Sequence, residues 1–492
     1  MGPISVAVRS RAVVVGGGFV GLATALHLQR VGKHVTLLEA GPDVGGRHSA
    51  SNGNAGTFAF YANVPVQRPG LWKEAPGMIL SRTGALRLVP DPHLLRMIPW
   101  AAGALASCTP AEVRKTSLAL GTLLRLAEDG YRDAWAHAGV DVDSPMGAYA
   151  PTPESRADAF AAREGYILLQ RDVTSPGAAA AAALRREGLG PGLKMEALDG
   201  SGVRELEPLL SDRATRGGAW WFEDGWFLRH PEALLRAMCD GFAARGGEVR
   251  CGDAGAAKDV RALDIPGDVS AVKVTTVDGT HIDAGTVVIA AGAHSAALAE
   301  LCGDRVPLDT ERGYSVQFAQ KGKGPGGASI QSAPALTRPV CSAEGGFIVT
   351  PMSSGVRAAG LVELGGLRAG PVASRFDQLD AETRALFSGR RDLGTGSDES
   401  GERPVPALGA RDRDSDWLGF RPTLPDALPV IGPSSRVRGV LYAFGHQHIG
   451  WTLGGITGRV IADLAVGKAP EVDLAPFCAR RFEGKPWWPW SP

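Results

Sequence analysis

Runs of apolar and polar residues divide the first part of the chain into three elements. Residues Ala12–Val15 form a continuous, valine-rich apolar run, which is typical of a strand buried on both faces. Apolar positions then recur at helical spacing as far as Val31 and stop at Gly32, which predicts a helix. A second apolar run, Val35–Leu38, predicts another buried strand, and Glu39 stands at its end. Together they predict a βαβ unit with parallel strands.

The turn between the first strand and the helix carries the spacing G-x-G-x-x-G at Gly16, Gly18 and Gly21. The first glycine allows a tight turn, the second lets the backbone approach a pyrophosphate, and the third lets the helix pack closely. Free N–H groups at the helix N-terminus favour an anion. Glu39 lies 23 residues after Gly16, where a carboxylate accepts hydrogen bonds from ribose hydroxyls. The pattern predicts a bound dinucleotide, FAD or NAD rather than NADP, and not merely a tight turn.

The remaining pattern predicts a mixture of helices and strands. Residues 57–110 predict loops with short helices, 110–205 predict helices, and the aromatic segment 218–229 predicts a hairpin. The polar run 394–402 predicts an exposed insertion. Further predicted elements are a helix opened by Pro231, strands at 248–251, 271–277, 280–283, 285–292, 314–320, 346–351 and 356–363, a helix at 377–388, a strand at 440–444 and a helix at 450–464.

Segments with nucleotide-domain character alternate with segments of another kind, and this predicts two interleaved domains. The fold class we expect is α/β, with a discontinuous Rossmann-type domain and an α+β second domain built on a mixed sheet. The predicted bounds are 5–56, 231–300 and 410–470 for the nucleotide domain, 57–230 and 301–409 for the substrate domain, and 471–492 for a C-terminal tail.

Composition and charge exclude several classes of function. The 492 residues contain 52 Lys+Arg and 52 Asp+Glu, so no net charge attracts nucleic acid. The six cysteines form no C-x-x-C pair, which argues against a disulfide framework and a cysteine zinc site, and no metal is expected. No run reaches the roughly 18 apolar residues of a spanning helix. These features predict a cytoplasmic protein.

Two apolar segments leave a peripheral membrane contact open. Leu94–Ser107 is interrupted by Arg96 and Pro99, and predicts a packed helix or, alternatively, one that lies at a membrane surface. The tail allows the same two interpretations, because it is rich in tryptophan. Its tryptophans are Trp487, Trp488 and Trp490.

Three further stretches complete a family pattern. They are GRHSASNGNAG at 46–56, VVIAAGAHS at 287–295, and the run at 419–464 that contains GFRP and GHQHIGWT. With the glycine-rich unit, they resemble the D-amino-acid oxidase-like FAD-dependent oxidoreductases over residues 10–470. The similarity is closest to the bacterial D-amino-acid dehydrogenases and D-hydroxyproline dehydrogenases. The resemblance implies a discontinuous FAD domain and a substrate domain whose mixed sheet covers the flavin.

The resemblance also implies which residues hold FAD. Relatives that tether FAD covalently carry histidine where Gly53 stands, so non-covalent FAD is expected. The loop at 445–452 would direct N–H groups at the flavin pyrimidine, which becomes negative on reduction. The implied FAD-binding residues are Gly16, Gly18, Gly21, Glu39, Arg47, His48, Asn54, Ala55, Gly56, Ala291, Gly292, Gly445, His446, Ile449, Gly450 and Thr452.

Three residues are implied at the substrate. Arg421, in G-F-R-P, would bind the substrate carboxylate, because a guanidinium matches a carboxylate bidentately. His448 would face the substrate, and the hydroxyl of Tyr314 would hold its carboxylate or amine. Each has a structural alternative: an interface ion pair for Arg421, a satisfied buried histidine for His448 and a core position for Tyr314.

The implied chemistry is oxidation of a C–N bond beside a carboxylate, in a D-amino acid or a cyclic D-imino acid like proline or hydroxyproline. Hydride would pass from the α-carbon to flavin N5, with orientation and electrostatics supplying the rate and no side-chain base required. Glycine, sarcosine-like N-methyl amines and L-imino acids are alternative substrates. A quinone, a carrier protein or oxygen would accept the electrons. A non-catalytic FAD-binding subunit is the alternative from another class.

Overall fold

A computed structural model describes residues 6–70, 77, 84–263, 271–319, 336–387 and 408–487. The predicted insertion at 394–402 and the tail residues Trp488 and Trp490 lie outside the described residues. Helices α1 to α13 span Val6–Ser10, Phe19–Arg30, His93–Arg96, Ile98–Ala106, Pro110–Leu124, Ala127–Ala138, Pro176–Leu189, Gly200–Leu206, Asp212–Thr215, Pro231–Ala244, Ser295–Leu301, Ala373–Phe387 and Gly450–Ala465. Strands β1 to β21 span Arg11–Val15, His34–Glu39, Thr57–Phe58, Leu86–Leu88, Ala161–Ala162, Tyr166–Leu169, Met195–Leu198, Ala219–Phe222, Trp226–Leu228, Glu248–Cys251, Ala257–Ala262, Val272–Thr276, His281–Ala284, Thr286–Ile289, Asp309–Ala319, Val340–Ser342, Phe347–Met352, Gly355–Leu364, Arg411–Thr423, Val430–Pro433 and Val440–Phe444.

A six-stranded sheet forms the first layer, in the order β10-β2-β1-β14-β21-β20. β1 lies at its centre and pairs in parallel with β2 and β14, and only β20 runs antiparallel to its neighbour. Continuous apolar runs suit these central strands because helices cover both faces of a parallel sheet. All six strands come from the three segments predicted to form the nucleotide domain. The predicted α/β fold class is confirmed.

A nine-stranded mixed sheet forms the second large layer. Its order is β19-β15-β18-β17-β16-β6-β8-β7, with β4 paired to the end of β18. One face packs through an apolar core against α12, and the opposite face turns towards the six-stranded sheet. β19 pairs with β15 along most of its length. Residues 411–423 therefore belong to this sheet and not, as predicted, to the nucleotide domain. The rest of the domain division remains a prediction.

The aromatic segment 218–229 does not form the predicted hairpin. β8 pairs with β6 and β7, whereas β9 joins a different, three-stranded sheet between β3 and β5. Both strands are almost fully buried, so each finds a partner elsewhere. The predicted hairpin with the Asp278–Gly279 turn is present, because β12 and β13 pair in antiparallel fashion.

The apolar segment at 94–107 forms α3 and α4 and packs only in part. Trp100 is buried, whereas Leu95, Ile98 and Leu105 are exposed. No helix within the described part of the chain is long and apolar enough to cross a membrane.

Candidate active site

A cavity of about 1500 Å³ separates the two large sheets. It exceeds the roughly 300–1,000 Å³ typical of small-molecule pockets, so a dinucleotide and a small second molecule have room together. It begins at the carboxyl end of β1 and continues beneath the nine-stranded sheet. Predicted site residues that line it are Gly16, Gly18, Glu39, His48, Asn54, Ala55, Gly56, Ala291, Gly292, Tyr314, Arg421, His446, His448 and Gly450.

At the nucleotide end, the turn after β1 is pressed against the rest of the sheet. Gly16 has φ of 111°, and its N–H donates to Leu38 O at 2.7 Å. A Cβ at this residue would lie 2.4 Å from Ala290 O, so only glycine fits. Gly21 approaches the carbonyl of Gly16 so closely that a Cβ has no room there either. Gly21 does not line the cavity, and its role is the helix packing that its position in the motif predicts.

Glu39 is buried, and the protein itself fixes its carboxylate. The N–H groups of Gly17 and Gly41 donate to its two oxygens at 2.7 and 2.8 Å, and His48 Nε2 lies 2.9 Å from Oε1. The carboxylate is thereby oriented at the cavity wall before any ligand binds. An anionic acceptor beside a glycine turn and a helix N-terminus fits the ribose and pyrophosphate of a dinucleotide.

The loop at 52–56 is fastened to the nine-stranded sheet by Arg357, which sequence reasoning missed. Its Nη1 donates to Asn52 O at 3.2 Å and to Asn54 O at 3.1 Å, and its Nη2 lies 2.9 Å from Glu232 Oε1. Burial alone would raise the pKa of Glu232, but Arg357 and His230 outweigh it and lower that pKa to about 2. Arg357 is therefore a positioning residue for the predicted flavin-contacting segment.

At the other end, Arg421 reaches across one strand to contact the next. It lies on β19, yet its Nη1 donates to Leu361 O at 2.7 Å and its Nη2 to Gly360 O at 3.3 Å, both on β18. The intervening strand, β15, has Gly313 beneath the guanidinium, where a Cβ would lie 2.3 Å from Nη2. Leu361 has φ of 57°, a conformation that leucine rarely adopts and that accompanies the carbonyl facing Arg421. Backbone geometry thus holds the guanidinium at the cavity.

Glu311 lies directly opposite Arg421 in the pairing of β15 with β19, and sequence reasoning missed it. Its carboxyl accepts a hydrogen bond from Thr423 Oγ1 at 3.3 Å and lines the same cavity. Burial raises the pKa of Glu311, and the nearby Arg421 opposes that rise. Burial likewise lowers the pKa of Arg421. The site offers one cation and one acid side by side, which matches the two charged groups of an amino acid.

The loop at 446–448 separates two histidines. His446 is buried, with its Nε2 3.0 Å from Thr457 Oγ1, and burial lowers its pKa to about 3. Gln447 has φ of 50°, which turns the chain between them. The His448 side chain is exposed to the cavity that it lines. Its position inside the protein lowers its pKa to about 4, and the positive charge of Arg421 contributes to this. Both imidazoles are neutral at physiological pH; His446 is almost fully buried in the cavity wall, whereas His448 is exposed to the cavity.

A sequence profile described as FAD dependent oxidoreductase matches residues 11–464. The chain belongs to this family. It is 32% identical over 474 residues to a D-amino-acid oxidase of Bradyrhizobium diazoefficiens, covering 95% of this chain and 98% of that one. It is 30% identical over 479 residues to D-amino acid dehydrogenase 2 of Ralstonia nicotianae, covering 95% and 99%. The protein is therefore an FAD-dependent enzyme of amino-acid oxidation or dehydrogenation.

Solved structures show the same fold. Glycine oxidase from Geobacillus kaustophilus has a TM-score of 0.59 and 21% identity, over 96% of this chain and 100% of that one. Iminodiacetate oxidase from Chelativorans sp. BNC1 has a TM-score of 0.62 and 16% identity, over 95% and 98%. At these identities the likeness concerns the fold alone.

The residues present fit FAD in this oxidoreductase. The glycine turn, the oriented Glu39 and the segment ending at Gly56 follow one another along a single cavity. A Cβ at Gly53 would lie 2.2 Å from the Trp417 ring, so the histidine of covalently tethered relatives does not fit here. Non-covalent binding remains our prediction, and this packing supports it. Among the residues that the structure describes, no group of three or more His, Cys, Asp or Glu could hold a metal ion.

The prediction for the Tyr314 hydroxyl is wrong. Its ring packs at 4.9 Å from Phe376 in the core on the outer face of the sheet. Its hydroxyl donates to Glu363 Oε1 at 2.7 Å and accepts from Val372 N–H at 3.2 Å. The hydroxyl is thus fully engaged away from the substrate face.

Besides Gly21, four residues expected to bind FAD do not line the cavity of this oxidoreductase. The Arg47 guanidinium donates to Asp414 O and Asp416 O, at 3.2 and 2.8 Å. The Thr452 hydroxyl accepts the N–H of Ala59 at 2.9 Å. The other two serve the turn and the core: Gly445, whose φ is 85°, and Ile449. Residues close to them in the chain do line the cavity: His48, His446, Gly450 and Trp451.

Proposed function

We propose that this enzyme oxidises the C–N bond of a D-amino acid or of a cyclic D-imino acid like proline or hydroxyproline. The observation that carries the proposal is the guanidinium of Arg421, which two backbone carbonyls hold at the cavity while further N–H donors of its five stay available. Relatives named D-amino-acid oxidase and D-amino acid dehydrogenase, at about 30% identity, support the D-configuration.

In this proposal Arg421 binds the substrate carboxylate through its free donors. The pair is strong because burial removes the competing water, and the fixed guanidinium need not reorganise. Glu311, across the strand pair, accepts hydrogen bonds from the substrate amino group and takes up its proton, which leaves the amine neutral. FAD, when bound, supplies the acceptor for the hydride that leaves the α-carbon.

His448 completes the wall beside Arg421 as a neutral group. With a pKa of about 4, it adds no positive charge that would compete for the carboxylate at physiological pH. The imino acid formed leaves the site and hydrolyses or, if cyclic, remains an imine. Either oxygen, a quinone or a carrier protein accepts the electrons in the second half of the cycle. In the same proposal, segments 5–56 and 231–300 with residues 424–470 hold FAD.

The test is anaerobic reduction of the purified yellow holoenzyme. We would add D-amino acids, L-amino acids, cyclic imino acids, glycine and sarcosine separately, and record the flavin absorbance near 450 nm, as expected of a flavoprotein. Bleaching by D-amino acids or D-proline supports the proposal. Bleaching only by glycine, sarcosine or L-imino acids would overturn it in favour of those substrates. No bleaching with any of them would favour a non-catalytic subunit. Admitting air, and then a dye, distinguishes an oxidase from a dehydrogenase.

A further inference from the structure

A second cation lines the cavity away from Arg421 and has no partner of its own. Arg185 lies on α7, and its side chain forms part of the wall. Its Nε is fully buried and donates to nothing in the part of the chain that the structure describes. No ion pair among those residues includes it. The side chain as a whole is half-buried. Its guanidinium has therefore lost part of its water without gaining a hydrogen bond or ion pair within the described residues, and this is costly.

The neighbours of Arg185 are polar but uncharged. Tyr61 is 5% exposed, stacks on Tyr166 with ring centroids 4.4 Å apart, and its hydroxyl has no hydrogen-bond partner among the described residues. Cys341 is close by, and burial raises the pKa of its thiol to about 11. Burial also lowers the pKa of Arg185, with Tyr166, Tyr61 and Cys341 opposing it. An unsatisfied hydroxyl and an unpaired cation therefore share one wall.

Acids that line the same cavity are engaged elsewhere. Glu344, which follows β16, forms an ion pair with Arg171. Asp309, at the start of β15, accepts from His93 at 3.0 Å. Glu311 faces Arg421. None of these acids forms an ion pair with Arg185, so an anionic molecule that enters the cavity can supply the counter-charge.

The sheet separates the strand that Arg421 contacts from the strand that carries Cys341. The Arg421 guanidinium contacts β18, and Cys341 lies on β16, two strands further along. Two strand spacings correspond to about 10 Å. A substrate with a carboxylate at Arg421 and a second anionic group at the end of a short side chain spans a separation of this order, and both arginines line the same cavity.

We propose that Arg185, with the Tyr61 hydroxyl, forms a subsite for an anionic group on the substrate side chain, so that the preferred substrates are acidic amino acids. This inference rests on the proposed function, in which Arg421 holds the α-carboxylate. Tyr61 donates one hydrogen bond to the anion, and Arg185 supplies its charge and its free N–H groups.

The kinetic test compares D-glutamate with D-glutamine, and D-aspartate with D-asparagine, which match in size but differ in charge. In anaerobic flavin reduction, we expect kcat/KM for each acid to exceed that for its amide at least tenfold. Arg185→Met should remove this preference through KM and leave the amides unchanged. Tyr61→Phe should weaken it several-fold. Equal values for acid and amide in the wild type, or a preference that survives Arg185→Met, would overturn the subsite.

Arg186→Met is the matched control, because Arg186 lies on the same helix, is exposed and does not line the cavity. It should keep the full preference for acids. A loss of preference equal to that of Arg185→Met would mean that the helix, and not the buried charge, is responsible, and would refute the subsite.

Two readouts do not depend on turnover. Glutarate, a dicarboxylate without an amine, should bind the holoenzyme more tightly than pentanoate does, as measured from the change in the flavin spectrum. In Arg185→Met this difference in affinity should disappear. Without a ligand, Arg185→Met should raise Tm, since it removes a buried unpaired charge; a lowered Tm would mean that Arg185 is structural and would refute the proposal.

If no D-amino acid reduces the flavin but glutarate still requires Arg185, the proposed function fails and the subsite stands. If the amides react and glutarate ignores Arg185, only the subsite fails.

Discussion

The two ends of the cavity are built in different ways. At the nucleotide end, Glu39 contacts Gly17, Gly41 and His48, all within 22 residues of it in the chain. At the substrate end, Arg421 contacts Leu361, 60 residues away, and other contacts join segments still further apart. A local motif places the first set, whereas the register of a mixed sheet places the second.

The two ends also differ in how their polar groups are satisfied. The Glu39 carboxylate already accepts two backbone N–H bonds, so the nucleotide end is complete before a ligand arrives. At the substrate end, Arg185 Nε and the Tyr61 hydroxyl have no partner within the described residues. The comparison teaches that backbone geometry has already satisfied the polar groups of the proposed cofactor site, while the proposed substrate site keeps unmet hydrogen-bonding capacity for a ligand.

Arg421→Met tests most directly whether the two ends of the cavity act separately. We expect kcat/KM with D-amino acids to fall on the order of 10²- to 10³-fold, because the substrate carboxylate loses its only proposed guanidinium partner. Bound FAD per protein should not change. Arg413→Met is the control, since Arg413 lies on the same strand with a side chain that is 77% exposed. Stopped-flow flavin reduction measures both; a loss of FAD in Arg421→Met would contradict the division between the two ends.

Two glycine substitutions should separate the ends. Gly16→Ala meets Ala290 O at 2.4 Å in a backbone conformation that alanine rarely adopts, so FAD should be lost. Gly313→Ala meets the movable Arg421 guanidinium at 2.3 Å, so FAD should stay and KM should rise roughly tenfold, as expected for a modest overpacking cost. Flavin content and KM are measured for both variants. If Gly313→Ala lost its flavin instead, the two ends would not be independent.

Glu232→Gln tests the ion pair with Arg357, which fastens the loop at 52–56 to the nine-stranded sheet. The pKa of Glu232 is lowered to about 2, so its carboxylate stabilises the folded state above about pH 4.5, and this contribution is lost as the pH falls towards about 2. Urea unfolding should show the variant less stable by about 3 kcal/mol at neutral pH, with a shrinking difference below about pH 4.5. Glu187→Gln, in an exposed pair with Arg114, should cost almost nothing. A pH-independent difference would contradict the ion-pair account.

The smallest expected effect is at the start of α2. The Ser51 hydroxyl accepts the Phe19 N–H at 3.0 Å and so caps a helix that is distant in sequence. Ser51→Ala should lower the free energy of unfolding by about 1 kcal/mol, as loss of a helix cap does. Urea titration measures it, with Ser415→Ala as the control, because the Ser415 hydroxyl donates only locally, to Asp412 O, and caps no helix. An unchanged stability would show that water replaces the cap.

The local part of the site could be predicted from the sequence. Gly16 and Glu39 lie in one βαβ unit, whose order follows from apolar runs and glycine spacing, and both line the cavity as predicted. Arg421 and His448 also line it, although only a family resemblance pointed to them. Their position depends on segments far apart in the chain, which composition and periodicity do not connect.

The wrong prediction for Tyr314 comes from the alternation of side chains along β15, that is, from which of its residues face the cavity. Along Glu311, Arg312, Gly313 and Tyr314, polar and apolar types do not alternate, so the sequence does not reveal which residues face the cavity. Pairing with β19 places Glu311 opposite Arg421 and Gly313 opposite Gly419, and turns the tyrosine to the other face. The wrong prediction of a hairpin at 218–229 has a related cause, because the sequence of an apolar strand does not show which strand it pairs with. Arg185 had no sequence signal; only its burial distinguishes it.

The order of strands in the six-stranded sheet has a consequence for protein synthesis. β14 pairs with β1 on one side, and on the other side with β21, which lies about 150 residues later. At ribosomal rates of about 5–20 residues per second, the valine-rich edge of β14 waits roughly eight to thirty seconds for its second neighbour. During that time it offers unpaired backbone groups to other nascent chains. Only the emergence of residues 440–444 covers this edge, so the period of exposure to aggregation ends when β21 pairs with β14.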